Sequence, residues 1–357
     1  MLKLSSEKKW LSGLFRLKFT RVVYIALCWS LIDLVVSFFY YYENSQMGVM
    51  IAIRFGMAMF ISIIFGYLFI FGYRNFLTNH SLLLGLIIKA SLLILGAVCI
   101  TLLIFTAESY FLKEYQDSTL ENVFFNEQKR PWLFFKRTLY WLMVFLATKL
   151  FVEINDKYSP GVFIDFLKGR YRTAKNEDRV IMFIDLKDST PIAEKLGHEH
   201  YFGFIKEFIK MISLAIIDHR GLIYQYVGDE IVVSWFTSRK NCTKALATVV
   251  DARKNIQKRS EWFRRKYDIV PEFRVGIHTG EVTIGEIGIV KKDLAMSGDT
   301  MNTSARIRSA CNELNQKFLV SKEFVECAGL QPMHAEYLGD FELKGKSEQV
   351  ALYSLKI

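Results

Sequence analysis

Apolar residues run almost unbroken through four stretches of the first half, residues 22–40, 49–71, 82–105 and 132–151, and then give way to shorter, mixed patterns. Each run is close to the ~20 residues an α-helix needs to cross a hydrocarbon core of ~30 Å. A spanning chain must satisfy its backbone polar groups internally, which helices do and loops do not. The pattern therefore predicts an α-helical transmembrane bundle. The fourth run is the weakest, because Lys136, Arg137 and Lys149 interrupt it, and burial in a soluble bundle is its alternative. Asp33 on the first run and Arg54 on the second fall at comparable depth if those helices are antiparallel. An ion pair is expected there, with two wet or snorkelling side chains as the other reading.

From residue 179 onward the periodicities alternate. "VIMFIDL" is a short apolar run ending in Asp185, as in a buried strand. Ser189 or Thr190 then caps a helix whose first turn takes Pro191, and apolar spacing continues to Ile217. "IYQYVGDEIVVSW" predicts a hairpin over residues 222–236, with Gly228, Asp229 and Glu230 at its tip. A second long helix is expected over residues 243–267, more strands in "EFRVGIHTGEVTIGEI", and a helix in "TMNTSARIRSACNEL". Strand, helix, hairpin, helix, strand is the order of an α+β ferredoxin-like sheet with helices on one face.

Composition divides the chain as the pattern does. Its 357 residues carry a net charge of +10, and the Lys and Arg gather beside apolar runs, in the basic N-terminal segment and around Arg74. With Lys and Arg on the cytoplasmic side, both termini face the cytoplasm and the acid-rich loop 108–127 lies outside. The expected location is the inner (plasma) membrane, multi-pass, with the lipid bilayer as a partner. No nucleic-acid-binding motif appears, and the first run is too long, with no small-residue cleavage site after it, to be a removed signal peptide. Five scattered cysteines lack C-x-x-C spacing, so neither a zinc site nor a disulfide framework is indicated, and they are read as reduced buried thiols. Residues 1–152 form the membrane domain and 179–357 the soluble domain. The charged segment 153–178, amphipathic through Val162, Phe163, Phe166 and Leu167, reads as a solvated linker or as an element coupling the two.

The candidate chemistry lies at two strand ends. If Asp185 ends the central strand and Asp229 sits at the adjacent hairpin turn, the two carboxylates repel unless a cation lies between them. Oxygen ligands with room for water suit Mg²⁺ or Mn²⁺. Backbone N–H groups from Leu186 through Lys187, Asp188 and Ser189 to Thr190, opening a helix, suit phosphate.

These pieces resemble the class III nucleotidyl cyclases: "FIDLKDST", "YVGDE", "RVGIHTG", "SGDTMNTSAR" and "ELKGK", in that order. The resemblance covers residues 179–357. It implies a homodimer with sites at the interface of two cyclase domains. One chain would supply Asp185, Asp229 and Leu186 for two Mg²⁺ or Mn²⁺ ions, and the other Asn302 for the ribose and Arg306 for the α-phosphate. Asn302 and Arg306 stand one helical turn apart and share a face. Lys344 or Lys346 would reach the terminal phosphates; either also suits a solvated turn. Base recognition departs from the family pattern. Gln225 stands where adenylate cyclases commonly place Lys and guanylate cyclases Glu, and Ala295 where they place Asp or Thr, or Cys. Gln225 both donates and accepts, whereas Ala295 reads nothing by hydrogen bond, with Asp293 close enough to substitute if the loop shifts. The expectation is an adenylate cyclase acting on ATP, chosen as the commoner bacterial activity. A guanylate cyclase acting on GTP and a catalytically silent nucleotide-binding receptor are the alternatives. The hairpin tip does not match the Gly-Gly-Asp/Glu-Glu-Phe turn of a diguanylate cyclase.

Overall fold

The computed structural model describes residues 2–41, 47–67, 82–111, 130–157, 165, 168–290, 293–343 and 349–357. The chain divides into two compact units, Met1–Asp156 and Lys157–Ile357.

The first unit contains four helices, α1 (Leu2–Tyr41), α2 (Met47–Tyr67), α3 (Leu82–Phe111) and α4 (Arg130–Lys157). Their shared core is aromatic and small: Trp29, Trp141 and Phe145 pack with Ala97 and Ile100, and the Trp29 and Phe145 rings stack at 4.5 Å. The Trp29 indole N–H donates to Thr148 Oγ1 at 2.7 Å. Asp33 and Arg54 form the expected ion pair. Arg54 Nη2 donates to Asp33 Oδ1 at 2.7 Å, and both side chains are buried. Ser30, Ser62 and Thr101 donate to carbonyls one turn back in their own helices, so these interior hydroxyls are satisfied. Large apolar side chains such as Val35, Phe39, Phe60, Leu95 and Met143 lie exposed on the outer surface.

Of the four expected spans, one stretch among the described residues, Lys18–Phe39, is by itself long and apolar enough to cross a membrane. The apolar parts of α2 and α3 are shorter, Ile51–Tyr67 and Ala90–Thr106. Residues 68–71 of the second expected span lie outside the described residues, Lys89 interrupts the third, and the fourth carries its three cations. The connections from which orientation was read, including Arg74 and most of the 108–127 loop, also lie outside the described residues, as do Val162, Phe163, Phe166 and Leu167.

The second unit is built on β1 (Lys175–Leu186), α5 (Ser189–Asp218), β2 (Leu222–Val227), β3 (Glu230–Phe236), α6 (Arg239–Lys258), α7 (Ser260–Tyr267), β4 (Phe273–Ile287), β5 (Asp293–Ser297), α8 (Asp299–Glu313), β6 (Phe318–Ser321), α9 (Lys322–Ala328), β7 (Ala335–Glu342) and β8 (Gln349–Leu355). The strands order as β2-β3-β1-β4-β6-β8-β7, with β5 paired to β4. The first four strands reproduce the ferredoxin-like order. Residues Val180–Ile184 of β1 are buried without interruption. Because successive strand side chains alternate faces, both faces of the sheet are covered, not one as the pattern suggested. Ile181 and Phe183 pack with Met301 and Ala305 of α8 on one side. On β4, Gly276 lets the α8 backbone come close: a Cβ there would meet Ser304 O and Arg308 Cα at 2.7 Å.

Three local expectations need correction. The helix expected over residues 243–267 is two, α6 and α7, broken at Arg259, so that Phe263 and Tyr267 turn inward onto Phe204. The cap of α5 is Asp188, in the left-handed region with φ 57°, not Ser189 or Thr190. Cys242 and Cys327 form a disulfide joining α6 to α9. Their separation of 85 residues carries no spacing signature, so only packing reveals it. Cys311 is a buried free thiol, pushed up by burial to about 12.

Candidate active site

The antiparallel ladders bring the site together. Ile184 pairs with Ile231 across β1 and β3, and Asp185 pairs with Arg274 across β1 and β4. Asp185, at the end of the central strand, therefore lies beside the β2–β3 turn, whose Gly228 takes a φ of 63° that favours glycine. That turn presents Asp229 and Glu230.

Three carboxylates crowd this corner. Burial first, and then the charges of Asp229 and Glu230, push Asp185 up from 3.8 to about 6 against the pull of Arg308 and Arg274. Arg308 Nη1 lies 3.3 Å from Asp185 Oδ2 and Nη2 lies 2.6 Å from Glu230 Oε2. Asp229 Oδ2 is buried and has no hydrogen-bond partner. A bare buried carboxylate oxygen beside two others is the chemistry a hard cation satisfies. Among the described residues no group of three or more His, Cys, Asp or Glu encloses an ion site. An ion here would rest on one or two carboxylates, the Leu186 carbonyl, water and substrate oxygens, which is how Mg²⁺ is commonly held.

The turn after β1 is anchored from below. Lys187 N–H donates to Glu272 O at 2.9 Å and its Nζ to Glu272 Oε2 at 3.2 Å. Asp188 lies 4.0 Å from Arg274, and Ser189 hydrogen-bonds the Tyr201 hydroxyl. Burial and the charges of Asp229 and Asp185 raise that phenol, which places Tyr201 near the carboxylates. Thr190 is exposed in the first turn of α5. An open pocket of about 330 Å³ includes Lys187 and Asp188 but none of Asp185, Asp229, Asn302 or Arg306. Its Lys187 and Lys195 already pair with Glu272 and Asp268, so it is not the site of the chemistry.

Asn302 is exposed and Arg306 half-buried on α8. Among the described residues neither forms a hydrogen bond or ion pair with Asp185 or Asp229. Gln225 is exposed beside a register shift in β2. Ala295, on β5, pairs with Gly285 of β4. The Tyr224 hydroxyl accepts from Met296 N–H at 3.0 Å, tying these two stretches together within one chain. Lys344 and Lys346 lie outside the described residues. Sequence reading missed Arg308, Tyr201, Arg274 and Tyr224. Glu230 was visible only as part of the hairpin tip. An arginine two residues beyond Arg306 is a signal only once helix and sheet are docked.

Residues 172–356 match the family model of the adenylate and guanylate cyclase catalytic domain. Adenylate cyclase 2 of Rhizobium meliloti (strain 1021) is 33% identical over 208 residues, 57% of this chain and 57% of that protein. Adenylate cyclase 1 of the same organism is 26% identical over 197 residues, 52% of this chain and 28% of that protein. The match thus spans less than two thirds of either relative. A solved structure of a bacterial light-regulated adenylyl cyclase aligns with a TM-score of 0.53 at 17% identity, over 61% of this chain and 64% of that one. That likeness concerns the fold.

Proposed function

The chain belongs to the adenylate and guanylate cyclase catalytic-domain family, the class III nucleotidyl cyclases, and from that premise we propose that it is a membrane-bound adenylate cyclase, converting ATP to 3′,5′-cyclic AMP and pyrophosphate in sites shared by a homodimer. The observation that carries the reading is the cluster of Asp185, Asp229 and Glu230 with its bare Asp229 Oδ2. Asn302 and Arg306 stand on a neighbouring helix without engaging the carboxylates of their own chain, which favours their use by a second chain.

The ribose 3′-hydroxyl attacks the α-phosphorus in line and pyrophosphate leaves. Asp185, Asp229 and the Leu186 carbonyl would hold Mg²⁺ or Mn²⁺, which when bound neutralises triphosphate charge and acidifies the attacking hydroxyl. Arg306 offers a planar fork of donors to the charge developing on the α-phosphate. Asn302 orients the ribose, and holding the reacting groups in line supplies a large share of the acceleration. The turn of Lys187, Asp188, Ser189 and Thr190 presents N–H groups at the start of α5 to phosphate, and Lys344 or Lys346 completes the terminal-phosphate contacts. Gln225 reads the adenine edge as both donor and acceptor. Adenine is preferred over guanine because the relative matched at 33% identity over 208 residues is an adenylate cyclase by name, as is the one matched over 223 residues.

Membrane attachment is supported by Lys18–Phe39 and by the inverted polarity of the first unit. Its ion pair and hydroxyls are internal while large apolar side chains face outward, an arrangement suited to lipid and unfavourable in water. Residues 1–152 would anchor and 153–178 would couple, with both termini cytoplasmic.

The test is cyclic nucleotide formation by full-length protein in detergent or lipid, given ATP or GTP with Mg²⁺ or Mn²⁺ and with Asp229→Ala as control. Cyclic AMP from wild type alone is expected. Cyclic GMP would replace the substrate, and no product from verified dimer would overturn the enzymatic reading.

A further inference from the structure

One side chain that the proposed reaction leaves unused is wired directly into the carboxylate cluster. Arg308 follows Arg306 by two positions, about 200° around the helix, so the two guanidinium groups leave α8 in nearly opposite directions. The root of Arg308 is fixed, because its backbone presses on Gly276 of β4 at a distance that excludes any side chain there. Its head bridges Asp185 at 3.3 Å and Glu230 at 2.6 Å. Toward Asp185 the bridge is a hydrogen bond, Arg308 Nη1 donating to Asp185 Oδ2, and toward Glu230 it is a contact of charge. Arg308 Nε and Glu230 Oε2 are both buried without a hydrogen-bond partner, as is the neighbouring Asp229 Oδ2. The guanidinium thus balances part of the negative charge and leaves one carboxylate oxygen bare.

We propose that Arg308 is a built-in counter-ion of the metal-binding carboxylates, a positioning residue that holds Asp185 and Glu230 together before a divalent ion arrives and whose charge weakens the binding of that ion. The inference rests on the reading of Asp185 and Asp229 as metal ligands. A divalent ion entering the cluster meets the fixed guanidinium as a like charge. Even with the screening of bulk water, a unit charge acting on a divalent ion across about 4 Å is worth more than a factor of ten in affinity. Glu230 acts in the opposite sense, adding negative charge and drawing the guanidinium away from Asp185.

The test is direct Mn²⁺ titration of the full-length protein in detergent without nucleotide, with free Mn²⁺ followed by electron paramagnetic resonance. Arg308→Gln should bind Mn²⁺ about tenfold or more tightly, Arg308→Lys within about threefold of wild type, and Glu230→Gln about tenfold more weakly. A purely structural role would loosen the cluster in both neutralised variants, so weaker binding in both overturns the proposal. Unchanged affinity in Arg308→Gln, with wild-type melting, also overturns it. If Arg308→Gln does not fold, Glu230→Gln decides, and affinity no weaker than wild type rejects the idea. Asp185→Asn and Asp229→Asn separate the premises. Binding that survives both removes the metal-site reading and the proposal with it, whereas binding lost there but indifferent to Arg308 removes the proposal alone.

Discussion

Gly276→Ala places a methyl group where the packing of β4 on α8 leaves no space. The added carbon would sit 2.7 Å from Ser304 O and Arg308 Cα, and closer still to Arg308 N. Carbon contacts settle near 3.5–4.0 Å, so α8 must retreat by about 1 Å. The obstructing atoms are backbone, and no rotamer change relieves them. In an unobstructed strand the same substitution stabilises by roughly 0.5–1 kcal/mol. Overpacking here costs about 1–3 kcal/mol, and at about 2–4 °C per kcal/mol for a unit of 150–250 residues the melting temperature should fall by several degrees. The larger consequence is for rate, since α8 carries Asn302, Arg306 and Arg308, and a misplacement of about 1 Å costs on the order of 10²-fold. Thermal unfolding and initial rates of cyclic nucleotide formation would be measured on the full-length variant. Gly56→Ala, inside α2 with nothing within 4 Å of the added carbon, serves as the unobstructed comparison and should not lower the melting temperature. A Gly276→Ala protein that melts with wild type and keeps half its rate refutes the close-packing argument.

Asp185 has a folded value of about 6 against 3.8 unfolded. The native state therefore retains a proton that the unfolded chain releases between about pH 4 and 6, and metal-free stability should fall as pH rises through that window. The unscreened shift corresponds to about 3 kcal/mol, and solvent screening of this partly exposed carboxyl makes that an upper bound. Asp185→Asn should flatten the dependence and raise the melting temperature at pH 7 in chelator, and an unchanged pH profile would refute this. Removing either partner of the buried Asp33–Arg54 pair should destabilise the first unit by roughly 3–5 kcal/mol, while replacing both with apolar residues costs less; additive losses in a double-mutant cycle would count against the pairing. The Cys242–Cys327 bridge, closing 85 residues, should contribute about 2–5 kcal/mol. Reductant should lower the melting temperature of wild type but not of a Cys242→Ala/Cys327→Ala protein, and equal melting with and without reductant would contradict it.

Several elements were legible because local chemistry forces them. An alternating run that ends in Gly228-Asp229-Glu230 can hardly be anything but a hairpin, and "VIMFIDL" must be a buried strand, so Asp185 and Asp229 were visible as strand-end carboxylates. Asn302 and Arg306 share a helix face by spacing alone, and the cost of leaving Asp33 or Arg54 unpaired among apolar residues made their ion pair one of two open readings, between which the structure decides. The break at Arg259 was not legible, because residues 239–267 keep helical spacing through it and only the pull of Phe263 and Tyr267 onto Phe204 bends the chain.

Sequence by itself determined the division into an apolar helical half and an α+β half, the ferredoxin-like order of the first strands, and the residue types gathered at the candidate site. These depend on periodicity and on chemistry carried within a few neighbouring positions. Tertiary structure alone decided that the sheet is covered on both faces, that Cys242 meets Cys327, and that Arg308 reaches Asp185 and Glu230. Each of those contacts joins segments tens of residues apart, or more than a hundred for Arg308 and Asp185, and their meeting is set by strand register and by the space an absent side chain leaves at Gly276, neither of which a local pattern encodes.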